Sequence, residues 1–140
     1  MKIAKGIEDR FEEFVLAESK DQGKPVSVAR SIDIPRAIYN FKMFSSAILH
    51  QVEHATHQIK PGFNQLNYTH KSPVGVSVLI SPWNLPLYLL TWKIAPCIAF
   101  GNTCVCKPSE QSSLTASLLC EVLQDDIFRS PKSVFKIYHC

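Results

Sequence analysis

The stretch Pro73-Val74-Gly75-Val76-Ser77-Val78-Leu79-Ile80-Ser81-Pro82-Trp83-Asn84-Leu85-Pro86 decides the fold. Val74 to Ile80 is an almost continuous apolar run rich in valine, the pattern of a strand buried on both faces. Pro82, Asn84 and Pro86 then break the run. Leu87 to Phe100 is long enough for a helix, with Gly101-Asn102 as its stop and Pro96 as a disturbance inside it. Thr103 to Cys106 reads as a second short strand. Ser112 or Ser113 can cap a helix through Leu114, Leu118, Leu119, Val122 and Leu123. Pro131 starts a last turn, and Val134 to Tyr138 is a third strand. Strand, helix, strand, helix, strand is half of a doubly wound sheet. Such crossovers imply parallel strands, and ligands bind beyond their carboxyl ends.

Upstream the texture is helical. Ile7, Phe11, Phe14 and Val15 recur at helical spacing, in a helix closing near Gln22-Gly23. Pro25 can open a short helix. Asp33 is placed to cap a longer one, with Pro35 in its first turn and Ile34, Ile38, Phe41, Ala47 and Ile48 on its apolar face. Gln51 to His70 is polar, with Pro61-Gly62 as a turn and Tyr68-Thr69 as a short edge strand. The one candidate boundary is the polar stretch before Pro73. It divides a mainly helical part, 1–72, from the β-α-β-α-β unit, 73–140.

With 140 residues, 46% of them hydrophobic and 19% charged, the chain can bury a core of one domain. A net charge of +3 is too small to argue for nucleic acid, and no motif supports such a partner. The prolines and Lys93 exclude a membrane span across 73–100, and Met1 to Arg10 has no secretory h-region. Five cysteines without secretory context predict reduced thiols and a cytoplasmic location.

Two short segments stand at the carboxyl ends of the predicted strands. In the first, Asn84 follows a strand and a proline. Its plain reading is a turn residue capping the next helix; its functional reading is an amide donor aimed at a developing oxyanion. The second is Lys107-Pro108-Ser109-Glu110, whose plain reading is a surface pair, with Glu110 favoured near a helix N-terminus.

Ile80-Ser81-Pro82-Trp83-Asn84 and Lys107-Pro108-Ser109-Glu110 together resemble the cofactor-binding domain of the aldehyde dehydrogenases. Glu18 to Pro25, Asp33-Ile34-Pro35-Arg36, Ser72 to Val76, Leu90 to Pro96 and Gly101 to Glu110 extend the resemblance. Lys20 to Lys24 and Leu85 to Trp92 point to the branch that oxidises 2-aminomuconic semialdehyde, in tryptophan catabolism. The resemblance implies an α/β fold, with N-terminal helices packed on an incomplete Rossmann-like parallel sheet. It implies NAD as cofactor and a small aldehyde as substrate. By resemblance Asn84 is the oxyanion donor. Ile80, Ser81, Pro82 and Trp83 line the cofactor, and Lys107, Ser109 and Glu110 hold its adenine-side ribose. A carboxylate at Glu110 would repel a 2′-phosphate and so favours NAD over NADP.

The family's nucleophilic cysteine and general-base glutamate match nothing in these residues. The chain is therefore expected to be part of such an enzyme, without turnover of its own and with weak NAD binding. The intact family is homo-oligomeric, and an unfinished sheet edge would favour association. Arg129, Ser133 and Cys140 stand where the family has glycines. A non-catalytic paralogue that binds a partner subunit is the alternative.

None of the cysteines carries the nucleophile's motif. Cys104 and Cys106 alternate with Val105 and read as core residues, and Cys104-x-Cys106 is at most half a metal site. His50-Gln51-Val52-Glu53-His54 satisfies H-x-x-E-H, a zinc-peptidase pattern that requires both histidines on one helical face. So short a pattern is weakly specific, and solvated histidines are the better reading.

Overall fold

The computed structural model describes residues 1–126 and 135–137. Helices α1 (Lys2–Asp9) and α2 (Phe11–Gln22) come first. The periodicity from Ile7 predicts one helix, but Arg10 interrupts it at φ −110°, ψ 25°. Its guanidinium binds Glu13 and reaches across to Glu121 at 2.6 Å. The end of α2 is as expected, with Gly23 at φ 83°, a left-handed conformation that glycine adopts without a Cβ penalty.

After Pro25 the chain forms α3 (Val26–Val28), a π-helical turn (Ala29–Asp33) and α4 (Ile34–Ala47) in one helical run. Asp33 is therefore not the predicted N-cap. It is already helical, at φ −68°, ψ −51°, and makes no capping bond. Its carboxylate instead accepts from Lys24 Nζ at 2.8 Å, with Glu18 Oε1 at 3.4 Å from the same nitrogen. Glu18 and Asp33 are both fully buried. The apolar face of α4 is shorter than expected. Ile34, Ile38 and Phe41 are buried, but Ala47 is exposed and Ile48 half-buried.

A 3-10 turn (Ile48–His50) ends the helical part, and Gln51 is extended. The polar stretch that follows is a hairpin, β1 (Ala55–Lys60) and β2 (Phe63–Tyr68), rather than a lone edge strand. Its turn is the expected Pro61-Gly62, with Gly62 at φ 76°.

Strands β3 (Val76–Ile80), β4 (Thr103–Lys107) and β5 (Phe135–Ile137) form a parallel sheet in that order. Helices α5 (Pro86–Ala99) and α6 (Leu114–Asp126) connect them. This is the β-α-β-α-β unit read from the sequence; Pro131, Val134 and Tyr138 lie outside the described residues, as do Arg129, Ser133 and Cys140. Burial of β3 differs from expectation. Val76, Val78 and Ile80 are 68%, 67% and 60% exposed. Strand order follows chain order, and α5 and α6 cover the face of Cys104 and Cys106, so the described residues leave the opposite face open.

The core joins α1, α2, α4, α5, α6 and the inner face of β4. Between α4 and α5 lies a polar clamp. Asn40 Nδ2 donates to the Tyr88 carbonyl at 3.1 Å and to Thr91 Oγ1 at 3.0 Å, with Asn40 and Thr91 both fully buried. Edge-on ring contacts of Trp92 with Tyr88 and Phe44 flank it. Inside α5, Pro96 has no N–H to give to the preceding turn, while its carbonyl still accepts from Phe100 at 3.1 Å.

The turn after α5 sets the sheet register. Gly101 sits at φ 79°, and a Cβ there would meet Pro73 Cγ at 3.0 Å. Asn102 Oδ1 accepts from the Val74 and Gly75 amides at 2.7 and 3.1 Å, tying the start of β3 to the start of β4.

Two stability measurements follow from this packing. Asn40→Ala removes the buried donor to Thr91 Oγ1 and one of two donors to the Tyr88 carbonyl, which keeps the Thr91 hydroxyl, and urea unfolding is expected to show a loss of about 2 kcal/mol. The Glu18 carboxyl is held above the usual carboxylate range, chiefly by burial, with Lys24 opposing and Asp33 reinforcing the rise. A raised carboxyl contributes stability that is present below its unfolded pKa and lost as pH rises through its folded pKa. Unfolding measured from acid to neutral pH is therefore expected to show Glu18→Gln gaining on the wild type as pH rises above about 4.5.

Candidate active-site segments at the carboxyl edge of the sheet

Parallel pairing places the two candidate segments side by side. Register runs from Val76 opposite Thr103 to Ile80 opposite Lys107. One further bond, from Ser81 N–H to the Lys107 carbonyl at 3.2 Å, carries the pairing into the first loop. Ser81–Leu85 and Pro108–Ser113 therefore leave the sheet from adjacent points at the same edge.

In the first loop, Ser81 is buried, while Pro82, Trp83 and Asn84 are exposed. Leu85 is the N-cap position of α5 and Pro86 its first residue, so proline occupies a place where no N–H is required. Asn84 thus stands two residues before the helix and is not its cap. Ile80 ends β3 with its side chain on the open face. Lys93 Nζ, from the second turn of α5, donates to the Ile80 carbonyl.

In the second loop, Lys107 is the last residue of β4 and is half-buried. Its Nζ lies 3.3 Å from Glu110 Oε2 and 3.4 Å from the Pro108 carbonyl. Pro108 and Ser109 are buried, and Ser109 Oγ accepts from the Gln111 amide at 3.3 Å. Glu110 is exposed. Its own backbone N–H, and then Lys107, hold its carboxyl below the ordinary value, so it is an acceptor at neutral pH.

The next helix is not capped as predicted. The Leu114 amide, first in α6, is taken by Asp21 Oδ2 at 2.7 Å. Ser112 is buried with its hydroxyl unpartnered, and Ser113 contributes its carbonyl to Ser117. Asp21 is 93 residues away in the chain, so no local pattern could have identified it. The same holds for Lys93, whose role depends on α5 folding back over β3.

Four thiols lie among the described residues, none of them in the two loops. Cys104 and Cys106 are buried beneath the helices, and Cys97 Sγ faces the Thr103 carbonyl at 3.7 Å. Burial raises the Cys97 thiol and pushes Cys120 up to about 11. The hydrogen bond from Cys104 and then burial hold Cys106 far above the ordinary thiol range. The H-x-x-E-H pattern loses its premise, because the chain leaves helical geometry at His50 and runs extended from Gln51. No cluster of three or more metal-ligating side chains forms among the described residues.

Residues 1–139 match the aldehyde dehydrogenase family, and the chain belongs to it. A 2-aminomuconic semialdehyde dehydrogenase of Danio rerio is 57% identical over 124 residues, covering 89% of this chain and 25% of that protein. Among solved structures, an indole-3-acetaldehyde dehydrogenase complexed with NAD+ superposes with a TM-score of 0.87 at 33% identity, covering 97% of this chain and 26% of the other. The glyceraldehyde-3-phosphate dehydrogenase GapN of Methanocaldococcus jannaschii, complexed with NADP, gives 0.88 at 32% identity, covering 98% and 29%. The chain thus spans about a quarter of the length of the curated relatives it matches.

Raised thiols alkylate slowly, because the thiolate is the reactive form. Iodoacetamide at neutral pH is expected to label Cys97, Cys106 and Cys120 many-fold more slowly in the native chain than in urea, read by mass spectrometry. Rapid native labelling of any of the three would contradict the burial described.

Proposed function

We propose that these residues supply the oxyanion donor and the adenine-side cofactor contacts of an NAD-dependent aldehyde dehydrogenase acting on a muconic-type semialdehyde. The observation that carries this reading is the Ile80–Lys107 register, which puts Asn84 and Glu110 at neighbouring carboxyl ends of a parallel sheet. Ligands of doubly wound folds bind there. Relatives named for 2-aminomuconic semialdehyde, at 57% and 54% identity, support the substrate class. The nucleophile and general base are supplied from outside these 140 residues, and the chain alone has no turnover. Reduced thiols are in keeping with a cytosolic setting.

The residues fit the cofactor chemically. Glu110 is exposed and ionised, an acceptor matched to a ribose diol, and Lys107 beside it is a donor to the same sugar. Glu110 opposes a 2′-phosphate by like charge. The family fold accepts both cofactors, since NAD+ and NADP each occur in similar structures, so side chains in this loop make the choice. When bound, NAD supplies the hydride acceptor. Ser81 to Trp83 would line it, and Ser109, whose Oγ accepts from the Gln111 amide, would hold the turn of the ribose-binding loop.

At the reacting end, Asn84 is an uncharged amide donor. A carbonyl under attack gains negative charge on oxygen, and a preorganised N–H stabilises that charge more than it stabilises the neutral aldehyde. Asn84 requires no proton transfer of its own. The stiff Pro82-Trp83-Asn84-Leu85-Pro86 frame limits how far its backbone can turn.

A second reading, a non-catalytic chain that associates with a partner subunit, draws support from the open apolar face of Val76, Val78 and Ile80. Sedimentation of the purified chain separates the two. A well-behaved monomer argues against association, and a defined complex argues for it.

Asn84→Ala in an enzyme containing this segment is expected to lower kcat about 100-fold with little change in KM for NAD. Glu110→Gln is expected to weaken NAD binding about tenfold and to narrow the preference for NAD over NADP, read by calorimetric titration. Undiminished kcat in the first variant would remove the oxyanion assignment.

A further inference from the structure

The C-terminal half of α2 carries two carboxylates, Glu18 and Asp21, three residues apart and so on neighbouring faces of the helix. Asp21 Oδ2 accepts the Leu114 amide at 2.7 Å, at the first residue of α6. Glu18 is fully buried and faces the Leu87 backbone N–H in the first turn of α5, with the Thr115 hydroxyl beside it. These two helices are the ones that follow the Asn84 loop and the Lys107–Glu110 loop. We propose that Glu18 and Asp21 are positioning residues, by which α2 sets where the two ligand-bearing loops end.

The electrostatics of a helix start favour the carboxylate of Asp21, while burial holds the Glu18 carboxyl above the usual carboxylate range. Carboxylates near a helix C-terminus are unfavourable for their own helix. Here they stand instead at the positive N-terminal ends of α5 and α6, whose first amides lack intrahelical acceptors. Local caps do not fill these places. Leu85 has no side-chain oxygen to offer α5, and Asp21 takes the amide that Ser113 could only approach from its own turn. Lys24 Nζ lies 3.4 Å from Glu18 Oε1. Of the pair, Asp21 closes a full hydrogen bond. Glu18 sits against the first turn of α5 with its Oε2 unpartnered.

Function enters only as a consequence and rests on the dehydrogenase reading. Loosening α6 displaces Glu110 and raises KM for NAD more than it lowers kcat. Loosening α5 displaces Asn84 and lowers kcat more than it raises that KM.

The direct test needs no substrate. Amide hydrogen exchange of the free chain, resolved by residue, is expected to show Asp21→Ala speeding exchange at 112–117 about fivefold, with 85–90 unchanged. Asp21→Asn keeps the acceptor oxygen and is expected to restore protection to within about twofold. Glu18→Gln keeps shape and replaces the carboxyl by an amide. It is expected to speed exchange at 87–90 about threefold while 112–117 holds, even though global stability does not fall. Equal effects of either variant on both segments, or no effect of Asp21→Ala, would overturn the proposal. Exchange is read without cofactor, so its failure is distinguishable from failure of the dehydrogenase reading, which rests on Asn84 and Glu110.

Discussion

The Ser81 amide bonding to the Lys107 carbonyl is the contact on which the rest depends. It extends the parallel ladder one step past the end of β3. A slip of one residue in this pairing would turn every side chain of β3 to the other face. Leu79 would leave the core and Val78 would enter it. It would also separate the two loops along the strand direction. The constraint is set at the far end too, where Asn102 grips both amides ahead of β3 and Gly101 lets Pro73 approach closely. Register is thus pinned at both ends of a five-residue strand, and the two loops inherit their relative position from it.

A second constraint is charge inside the helical layer. Two buried carboxyl groups, Glu18 and Asp33, share one buried ammonium, Lys24, and burial holds Glu18 above the usual carboxylate range. Such groups cost stability unless their surroundings answer them. Lys24 answers Asp33 closely and Glu18 less so, and the remaining field comes from the first turns of α5 and α6. The surface pairs, Arg30 with Glu12 and Lys42 with Glu8, are exposed and contribute little by comparison. Of the three, Glu18 is the one set against the first turns of α5 and α6.

Much of the second half was legible because periodicity and punctuation agree there. Valine-rich β3, the Gly101-Asn102 stop and the amphipathic run from Leu114 each carry a local signal. The misread features share another cause, since each depends on a residue distant in sequence. Asp33 has a cap residue's chemistry, but Lys24 claims it. Ser113 is well placed for α6, yet Asp21 reaches the amide first. The open face of β3 cannot be seen in its composition, because coverage depends on strand order. The segments at Ile80–Asn84 and Lys107–Glu110 were visible as short motifs, but only pairing makes them neighbours. Arg10 breaks the first helix with no proline or glycine to announce it.

Among the described residues the β1–β2 hairpin pairs only with itself, from Ala55 opposite Tyr68 to Lys60 opposite Phe63, with Thr69 donating back to His54. No side chain in either strand is buried. Because β3 takes its register from Asn102 and not from the hairpin, residues can be gained, lost or exchanged in this excursion without moving the sheet. Mechanically it is a free-standing flap, whose surface can be altered without transmitting strain to the sheet's carboxyl edge.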